Sequence, residues 1–263
     1  MNNLTFTAQR VLRFLDLTRL NDNDNEQEII SLCRKAQNIA GNTAAICIYP
    51  YFIPIARKIL DLQNNTSIRI ATVTNFPHGR HKLTIAIQEI CSAIAYGANE
   101  IDMVFPYQSL IAGNENIGFT MVKEASELCQ NKHVLLKVII ECGELQHANL
   151  IRCATNIVIA GGANFIKTST GKTPINATLT NAEIILKTII EQNAEKRVGL
   201  KVSGGIRTVQ EATAYLDLTD KIMGVNWINL QNFRIGASSL LDDILRIINQ
   251  DSHQKPQNLK HIN

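Results

Sequence analysis

The sequence predicts a closed (β/α)8 barrel of the TIM-barrel type with an extra N-terminal helix. Short β-rich runs alternate with longer helical patterns, and eight such β-then-α units can be counted. The length of 263 residues fits this fold, because such a barrel typically needs about 250 residues. A doubly wound open sheet is the competing architecture. Against it, no GxGxxG follows the first predicted strand and no GxxxxGK[ST] is present.

Eight segments are rich in Val, Ile and Leu and have the length of β-strands. Several are nearly continuous in apolar residues, which is typical of parallel strands covered on both faces. The predicted strands are residues 14–18, 44–49, 68–74, 100–105, 134–141, 165–169, 198–203 and 233–238.

Helical periodicity fills the segments between these strands. In residues 81–97 apolar side chains recur at steps of four, three and four before Gly97, which marks a stop. Residues 145–162 behave similarly and end in two glycines, and residues 221–232 are predicted to be a loop. The other predicted helices are residues 2–13, 25–39, 52–62, 115–131, 178–194, 208–216 and 239–249.

Composition indicates one globular domain, residues 1–250, followed by a polar tail, 251–263, that we expect to be mobile. The net charge of +3 is too mild to indicate nucleic-acid binding, and an aromatic content of 5% argues against a base-stacking surface. The first residues, MNNLTFTAQR, show no cationic region followed by an apolar stretch, so we expect no signal peptide, and no run of about 18 apolar residues occurs in the sequence. We therefore expect a cytoplasmic protein that binds neither nucleic acid nor membranes.

The six cysteines form no CxxC pair and no His/Cys cluster with zinc spacing. We expect mostly buried, reduced thiols and no metal site. Cys47 lies near a predicted strand end, where it either lines a pocket or belongs to the core. In NFPHGRH (75–81) a solvated turn before a helix is favoured over a metal site.

Five ionisable residues occupy comparable places in five predicted strands. A buried charge is unfavourable unless it is paired or suppressed, and barrel active sites lie at the C-terminal ends of the strands. Any one of the five could form a purely structural ion pair, but five together favour a functional site. They are Asp16, Asp102, Lys137, Lys167 and Lys201.

Two of these residues, Lys167 in FIKTSTGK and Lys201 in VGLKVSGG, suggest a specific chemistry. An ammonium group near a second one in a partly dry pocket loses its proton more readily. The neutral amine can then attack a carbonyl and form a Schiff base, which accepts electrons from a neighbouring bond. A carboxylate such as Asp102 could move protons in that reaction.

Glycines and hydroxyls follow three neighbouring predicted strands, which indicates a phosphate site. Glycines let backbone N–H groups approach phosphate oxygens closely, and barrels often bind phosphate at the loops after strands seven and eight. Ser239 also fits a capping box with Asp242, and both roles can coexist. The candidate residues are Gly171, Lys172, Gly204, Gly205, Arg207, Gly236, Ser238 and Ser239.

Seven motifs are spread over nearly the whole chain: LDLTRL, ATVTNFPHG, EIDMVFPY, LLKVIIECGEL, FIKTSTGK, GLKVSGGIRT and RIGASSLLDDIL. Together they resemble the deoxyribose-phosphate aldolase family. The resemblance implies a class I aldolase in deoxynucleoside and deoxyribose catabolism. Such an enzyme reversibly cleaves 2-deoxy-D-ribose 5-phosphate into acetaldehyde and D-glyceraldehyde 3-phosphate, with a lysine Schiff base and with no metal or cofactor.

Carried over by motif, the resemblance implies that Lys167 forms the Schiff base. It also implies that Lys201 lowers the pKa of that lysine, and that Asp102 relays protons. The expected partner is a small phosphosugar, and a homodimer is expected. The implied substrate and phosphate contacts are Asp16, Thr18, Cys47, Lys137, Thr170, Gly171, Lys172, Gly204, Gly205, Arg207, Gly236, Ser238 and Ser239.

The C-terminus departs from the family pattern. Many members end in a tyrosine that assists proton transfer, whereas the last tyrosine here is Tyr215. Whether the tail takes part in catalysis is left open. Two other readings also stay open: a Schiff-base aldolase of the same barrel type acting on a different phosphosugar, and a phosphosugar-binding barrel with a degraded site.

Overall fold

The computed structural model describes residues 3–254, and eight parallel strands in it close into a barrel, which confirms the predicted fold. Each barrel strand is hydrogen-bonded to the next one around the ring, and the last barrel strand pairs with the first one to close it. A two-residue antiparallel hairpin forms a separate small sheet. The barrel strands are β1 (Leu15–Thr18), β4 (Ala45–Ile48), β5 (Arg69–Thr74), β6 (Glu100–Val104), β7 (Leu135–Ile139), β8 (Phe165–Lys167), β9 (Gly199–Ser203) and β10 (Phe233–Ala237); the hairpin strands are β2 (Gln37–Asn38) and β3 (Gly41–Asn42).

The helices form the outer layer, and the extra N-terminal helix is present as predicted. That helix packs against the last two helices. A short 3-10 helix covers Pro50–Phe52. The α-helices are α1 (Asn3–Arg13), α2 (Glu26–Ala36), α3 (Ile53–Leu62), α4 (Leu83–Ala95), α5 (Tyr107–Ile111), α6 (Glu115–Asn131), α7 (Cys142–Leu145), α8 (Ala148–Ala160), α9 (Leu179–Glu191), α10 (Val209–Met223) and α11 (Leu240–Gln254).

Local sequence signals account for several helix ends. Asn25 and Thr208 form capping boxes at the N-termini of α2 and α10, so their side chains satisfy backbone N–H groups that the first turn leaves free. Gly97 and Gly162 follow α4 and α8 with φ of +100° and +87°, a conformation that favours glycine. The predicted helix stops at these glycines are therefore confirmed.

Some predicted boundaries are wrong. Helix α10 runs to Met223 and not to residue 216, because buried side chains continue through Thr219. The first three residues of the predicted loop 221–232 are therefore helical. The end of the predicted helix 25–39 is instead the hairpin of β2 and β3. Helix α11 extends to Gln254, and the rest of the predicted tail lies outside the described residues, so the domain division at residue 250 stays a prediction.

Alternate side chains along a barrel strand point to two different regions, the core between strands and helices and the inside of the barrel. In β4, Ile46 and Ile48 belong to the large apolar core between strands and helices, whereas Ala45 and Cys47 belong to a small apolar cluster inside the barrel. All six cysteines are free; Cys91 is exposed, and Cys153 is partly buried. No helix within residues 3–254 is long and apolar enough to span a membrane. Charged side chains also lie inside the barrel, next to this small apolar cluster.

Candidate active site

Seven charged side chains meet inside the barrel, and we call them the charged cluster. None of these side chains is more than 4% exposed. They extend from six consecutive strands of the ring. Several of their contacts, such as that of Asp102 with Lys201 and that of Glu100 with Arg234, join strands that are not neighbours, so the side chains meet across the interior. The members are Asp16 on β1, Glu100 and Asp102 on β6, Lys137 on β7, Lys167 on β8, Lys201 on β9 and Arg234 on β10.

Asp102 is the centre of this cluster because it contacts three lysines. Its Oδ1 lies 2.8 Å from Lys137 Nζ, and its Oδ2 lies 2.8 Å from both Lys167 Nζ and Lys201 Nζ. The last two nitrogens are therefore no farther apart than twice that distance. The structure thus places the two lysines singled out from the sequence beside the same carboxylate oxygen.

The deeper half of the cluster joins Asp16 and Glu100 through cations. Arg234 lies between them, with Nη1 2.9 Å from Asp16 Oδ1 and Nη2 2.9 Å from Glu100 Oε1. Lys201 Nζ lies 2.5 Å from Asp16 Oδ2, and Lys137 Nζ lies 2.6 Å from Glu100 Oε2. Each charged side chain in this half of the cluster thus has at least two partners of opposite charge.

Counted by charge, the cluster contains four cations and three carboxylates, so it carries one excess positive charge. Within the described part of the chain, Lys167 has one carboxylate partner, whereas each of the other three cations has two or more. Removing a proton from Lys167 would leave three cations opposite three carboxylates. The geometry therefore marks Lys167 as the cation whose loss of charge the cluster tolerates best.

Asp16, Asp102 and Lys201 are held in their charged forms by their partners. Burial alone would raise the pKa of Asp16, but Lys201 and Arg234 outweigh burial and lower it from 3.8 to about 2. The pKa of Asp102 is held well below its usual value, since three lysines outweigh its burial. Burial would lower the pKa of Lys201, but Asp102 and Asp16 raise it above its usual value.

A cavity of about 630 Å³ opens above the cluster, at the C-terminal ends of the strands. Lys167 is the cluster member that lines it; Asp16, Asp102, Lys137 and Lys201 are buried and do not. Cys47 is also buried below the cavity. The lining residues that the sequence singled out are Thr18, Lys167, Thr170, Gly171, Lys172, Gly204, Gly205, Arg207, Gly236, Ser238 and Ser239.

Three glycines shape the upper part of the cavity, which we call the rim. Gly171, Gly204 and Gly205 have φ of +82°, +86° and +81°, the left-handed region that other residues rarely adopt. Among residues 3–254, their N–H groups donate to no acceptor. Unpaired N–H groups on left-handed glycines are typical of loops that bind anions through the backbone.

Gly236 serves a different purpose from the rim glycines. A Cβ at this position would lie 2.9 Å from Ser203 Cβ and 3.1 Å from Lys201 Cε. The missing side chain therefore makes room for the stem of Lys201. The sequence motif predicted a phosphate contact here, and the structure adds a packing reason for the glycine.

Lys172 reaches across the rim from the loop after β8. Its Nζ donates to the Leu20 carbonyl at 2.7 Å, and its backbone N–H donates to Thr170 Oγ1 at 3.0 Å. Arg207 also lines the cavity, so two cations lie near the exposed glycine N–H groups. This part of the cavity can therefore hold an anion.

Glu141, which the sequence analysis did not single out, fixes the same loop from below. It is buried with φ of +53°, and its carboxylate accepts hydrogen bonds from Thr170 Oγ1 at 2.5 Å and Thr170 N at 3.2 Å. A third hydrogen bond comes from Thr173 Oγ1. Burial raises the pKa of Glu141. A charged residue ending the apolar run VLLKVIIE was the signal that could have identified it.

Glu100 and Arg234 were also missed. Each lies two residues before a predicted site residue, Asp102 and Gly236, on the same inward face of its strand. The signal was the one used for the lysines, a charge embedded in an apolar strand. Four of the five predicted charges lie within their strands and not at the ends, because the barrel interior holds them in a layer below the mouth.

The NFPHGRH segment forms a turn around Asn75. The Asn75 side chain donates to the carbonyls of Arg80 and Val104 and accepts from the Arg80 N–H. His78 and Arg80 line a small separate cavity of about 210 Å³. Within residues 3–254, no group of three or more His, Cys, Asp or Glu side chains is arranged to hold a metal ion.

Solved structures with the same fold include three proteins named after one enzyme activity. A Toxoplasma gondii protein, provisionally named a deoxyribose-phosphate aldolase, is 23% identical, with TM-score 0.87 and coverage of 95% of this chain and 98% of its own. A Coccidioides immitis protein with the same provisional name is 23% identical, with TM-score 0.78 and coverage of 94% and 87%. The tetrameric deoxyribose phosphate aldolase of Aeropyrum pernix is 18% identical, with TM-score 0.72 and coverage of 95% and 97%.

These identities are low, and the three structures establish the fold. The family follows from a sequence match of greater weight, since residues 10–245 match the model of the DeoC/LacD family aldolases. Nearly the whole barrel, including every member of the charged cluster, lies within that match. The chain therefore belongs to the DeoC/LacD family of aldolases.

Proposed function

We propose that the protein is a class I aldolase that reversibly cleaves 2-deoxy-D-ribose 5-phosphate into acetaldehyde and D-glyceraldehyde 3-phosphate. The observation that carries the proposal is the position of Lys167, the one member of the charged cluster that lines the cavity. The motifs FIKTSTGK and KVSGGIRT support the choice of substrate. The name of the Aeropyrum pernix relative supports it as well.

In the proposed reaction, the neutral amine of Lys167 attacks C1 of the open-chain sugar. The carbinolamine that forms loses water and becomes an iminium ion. The excess positive charge of the cluster favours the neutral amine, because the remaining three cations and three carboxylates balance. Lys201 stays protonated between Asp16 and Asp102, so it supplies the neighbouring positive charge.

The iminium ion then accepts the electron pair of the C2–C3 bond. As this bond breaks, the C3 hydroxyl loses its proton and becomes the aldehyde of D-glyceraldehyde 3-phosphate. In this proposal Asp102 accepts that proton, directly or through one water, and Lys201 assists it; the hydrogen bonds of both lysines to Asp102 Oδ2 support these roles. Protonation of the enamine at C2, followed by hydrolysis, releases acetaldehyde and restores the lysine.

The rim supplies the remote binding energy in this proposal. The free N–H groups of Gly171, Gly204 and Gly205 and the cations Lys172 and Arg207 would hold the 5-phosphate. Interactions with a non-reacting phosphate orient the sugar so that C1 lies near Lys167, which raises the rate of the chemical step.

Turnover and trapping test the proposal together. Acetaldehyde release is measured from 2-deoxy-D-ribose 5-phosphate, and in parallel cleavage is measured for ketose phosphates and keto-acid aldols. The protein is then incubated with acetaldehyde, reduced with borohydride and mapped by peptide mass spectrometry. We expect acetaldehyde release from deoxyribose phosphate and one adduct, on Lys167. Faster cleavage of another sugar phosphate would show that the proposed substrate is wrong. If no adduct formed, or if adducts were spread over surface lysines, the proposed Schiff base on Lys167 would be contradicted.

A further inference from the structure

Glu100 and Arg234 form the deepest layer of the charged cluster. Glu100 lies two residues before Asp102 on β6, so it is farther from the cavity, and neither it nor Arg234 lines the cavity. Arg234 Nε donates to the Leu230 carbonyl at 2.9 Å, and the guanidinium lies 5.8 Å from the centre of the Phe165 ring. These contacts fix the guanidinium below the reacting atoms and out of reach of a substrate.

This pair nevertheless sets the charge count above it. Without Arg234, three cations would face three carboxylates, and the ammonium of Lys167 would be needed for neutrality. Without the charge of Glu100, four cations would face two carboxylates, and a charged Lys167 would be still less favourable. The two residues therefore act on Lys167 with opposite sign, through a low-dielectric interior where charges are weakly screened.

We propose that Arg234 and Glu100 are positioning residues of the proposed aldolase: they set the pH at which Lys167 becomes the neutral nucleophile, and they do so by charge and without contact to the substrate. The inference rests on the proposed function. Other charged or titratable groups of the cluster and of the cavity around Lys167 stay the same in the variants below. They include Asp16 on β1, Cys47 on β4, Asp102 on β6, Lys137 on β7, Glu141 after β7, Lys172 after β8, Lys201 on β9 and Arg207 after β9.

The test compares the pH profile of kcat/KM in four variants: R234M, E100Q, the double variant E100Q/R234M and R234K. The acid side of the profile reports the deprotonation of an essential group in the free enzyme. We expect its midpoint to move up by about one pH unit in R234M and down by about one pH unit in E100Q. The double variant has three cations and two carboxylates, which restores the excess charge, so its midpoint should return toward that of the wild type.

R234K separates charge from shape. Lysine keeps the positive charge but loses the two-pronged contact with Asp16 and Glu100, so we expect the midpoint to stay in place even if the protein melts at a lower temperature. A merely structural role of Arg234 would lower stability in R234K and R234M and leave both midpoints unmoved. Shifts of the same sign in E100Q and R234M would also overturn the inference.

If R234M does not fold, the pH profile of E100Q alone tests the inference. The amide in E100Q has the shape of the Glu100 carboxylate, and the contact between Arg234 and Asp16 remains. A lower midpoint supports the inference, and an unmoved or higher midpoint overturns it. Failure of the proposed function is recognised separately: the wild type would then release no acetaldehyde and form no borohydride-stable adduct on Lys167. A wild type that passes both checks, with variants whose midpoints do not move, contradicts this inference only.

Discussion

The charged cluster lies below the cavity, and we call it the floor. The floor and the rim above it place charge on different parts of the chain: the floor on side chains, the rim on the backbone. The floor consists of side chains on strands, buried and paired with one another, as in the contacts of Asp102 with three lysines. The rim consists of backbone N–H groups on left-handed glycines, which have no partner among residues 3–254. The floor is thus satisfied internally, apart from one excess charge, whereas the N–H groups of the rim are open to a ligand.

This difference predicts which substitutions should alter the chemical step and which should alter substrate binding. A substitution at the floor changes a charge count that every other member senses, so its effect should appear in kcat and in the pH profile. A substitution at the rim removes one contact to an anion, so its effect should appear in KM and depend on the phosphate. The predictions below test that division, from the largest expected effect to the smallest.

Replacing Lys167 by methionine should give the largest effect. We expect kcat to fall by at least roughly a thousandfold, because the nucleophile is lost. The fold should survive, since the cluster then holds three cations and three carboxylates. Activity is measured by acetaldehyde release and stability by thermal melting. The matched control is K187M on the exposed face of α9, which should keep full activity.

Replacing Lys201 by methionine should have the next largest effect. The ammonium of Lys167 is then needed to balance the cluster, so we expect kcat/KM at neutral pH to fall roughly a hundredfold and the acid midpoint to rise by about two pH units. Two buried carboxylates also lose a partner, which destabilises the fold by about 3–5 kcal/mol. Partial recovery of activity at high pH is the distinguishing result, and an unmoved midpoint in a folded variant would remove Lys201 from this role.

Replacing Lys172 by methionine tests the rim. A lost hydrogen bond to a charged group is worth about 1.5–3 kcal/mol, so we expect KM for deoxyribose 5-phosphate to rise by roughly tenfold or more. Turnover of unphosphorylated 2-deoxyribose should change little, and the acid midpoint should stay where it is. Equal losses for both substrates would mean that Lys172 acts on the reacting carbons and that floor and rim are not separate.

The smallest predicted effect concerns stability and pH. The pKa of Asp16 is about 2 in the folded protein and 3.8 when unperturbed. Because the folded value is the lower one, Asp16 adds roughly 2 kcal/mol of stability above about pH 5, and this is lost as the pH falls toward 2. Denaturant unfolding at about pH 7 and about pH 3 checks this. The loss of stability between them should be about 1 kcal/mol smaller in D16N than in the wild type; equal losses would show that Asp16 is not held charged by its partners.

Much of the fold and part of the site could be predicted from local sequence patterns. Apolar runs such as that around Ile166 gave the strands, and Lys167 and Lys201 stood out as charges inside such runs. The pairing of the charged side chains could not be predicted, because the barrel brings together strands that are far apart in sequence. Arg234 is 134 residues from Glu100 and 218 residues from Asp16, and no local pattern encodes those contacts.

The remaining misses have local causes. The hairpin of β2 and β3 is built from polar residues that carry no strand periodicity. Glu141 ends an apolar run, but it adopts a left-handed backbone conformation that is more typical of glycine or asparagine, so the strand pattern did not predict the direction of its carboxylate. The homodimer and the division of the chain at residue 250 stay predictions.

The central claim is that the charged cluster favours the neutral amine of Lys167, which the cavity leaves accessible to a substrate. The most direct measurement compares two lysines in one sample: the rates at which Lys167 and the exposed Lys187 are labelled by acetaldehyde and cyanoborohydride near neutral pH. We predict that Lys167 is labelled at least roughly a hundredfold faster, since an ordinary lysine is almost fully protonated there. Labelling of Lys167 at the same rate as Lys187, or more slowly, would contradict the account.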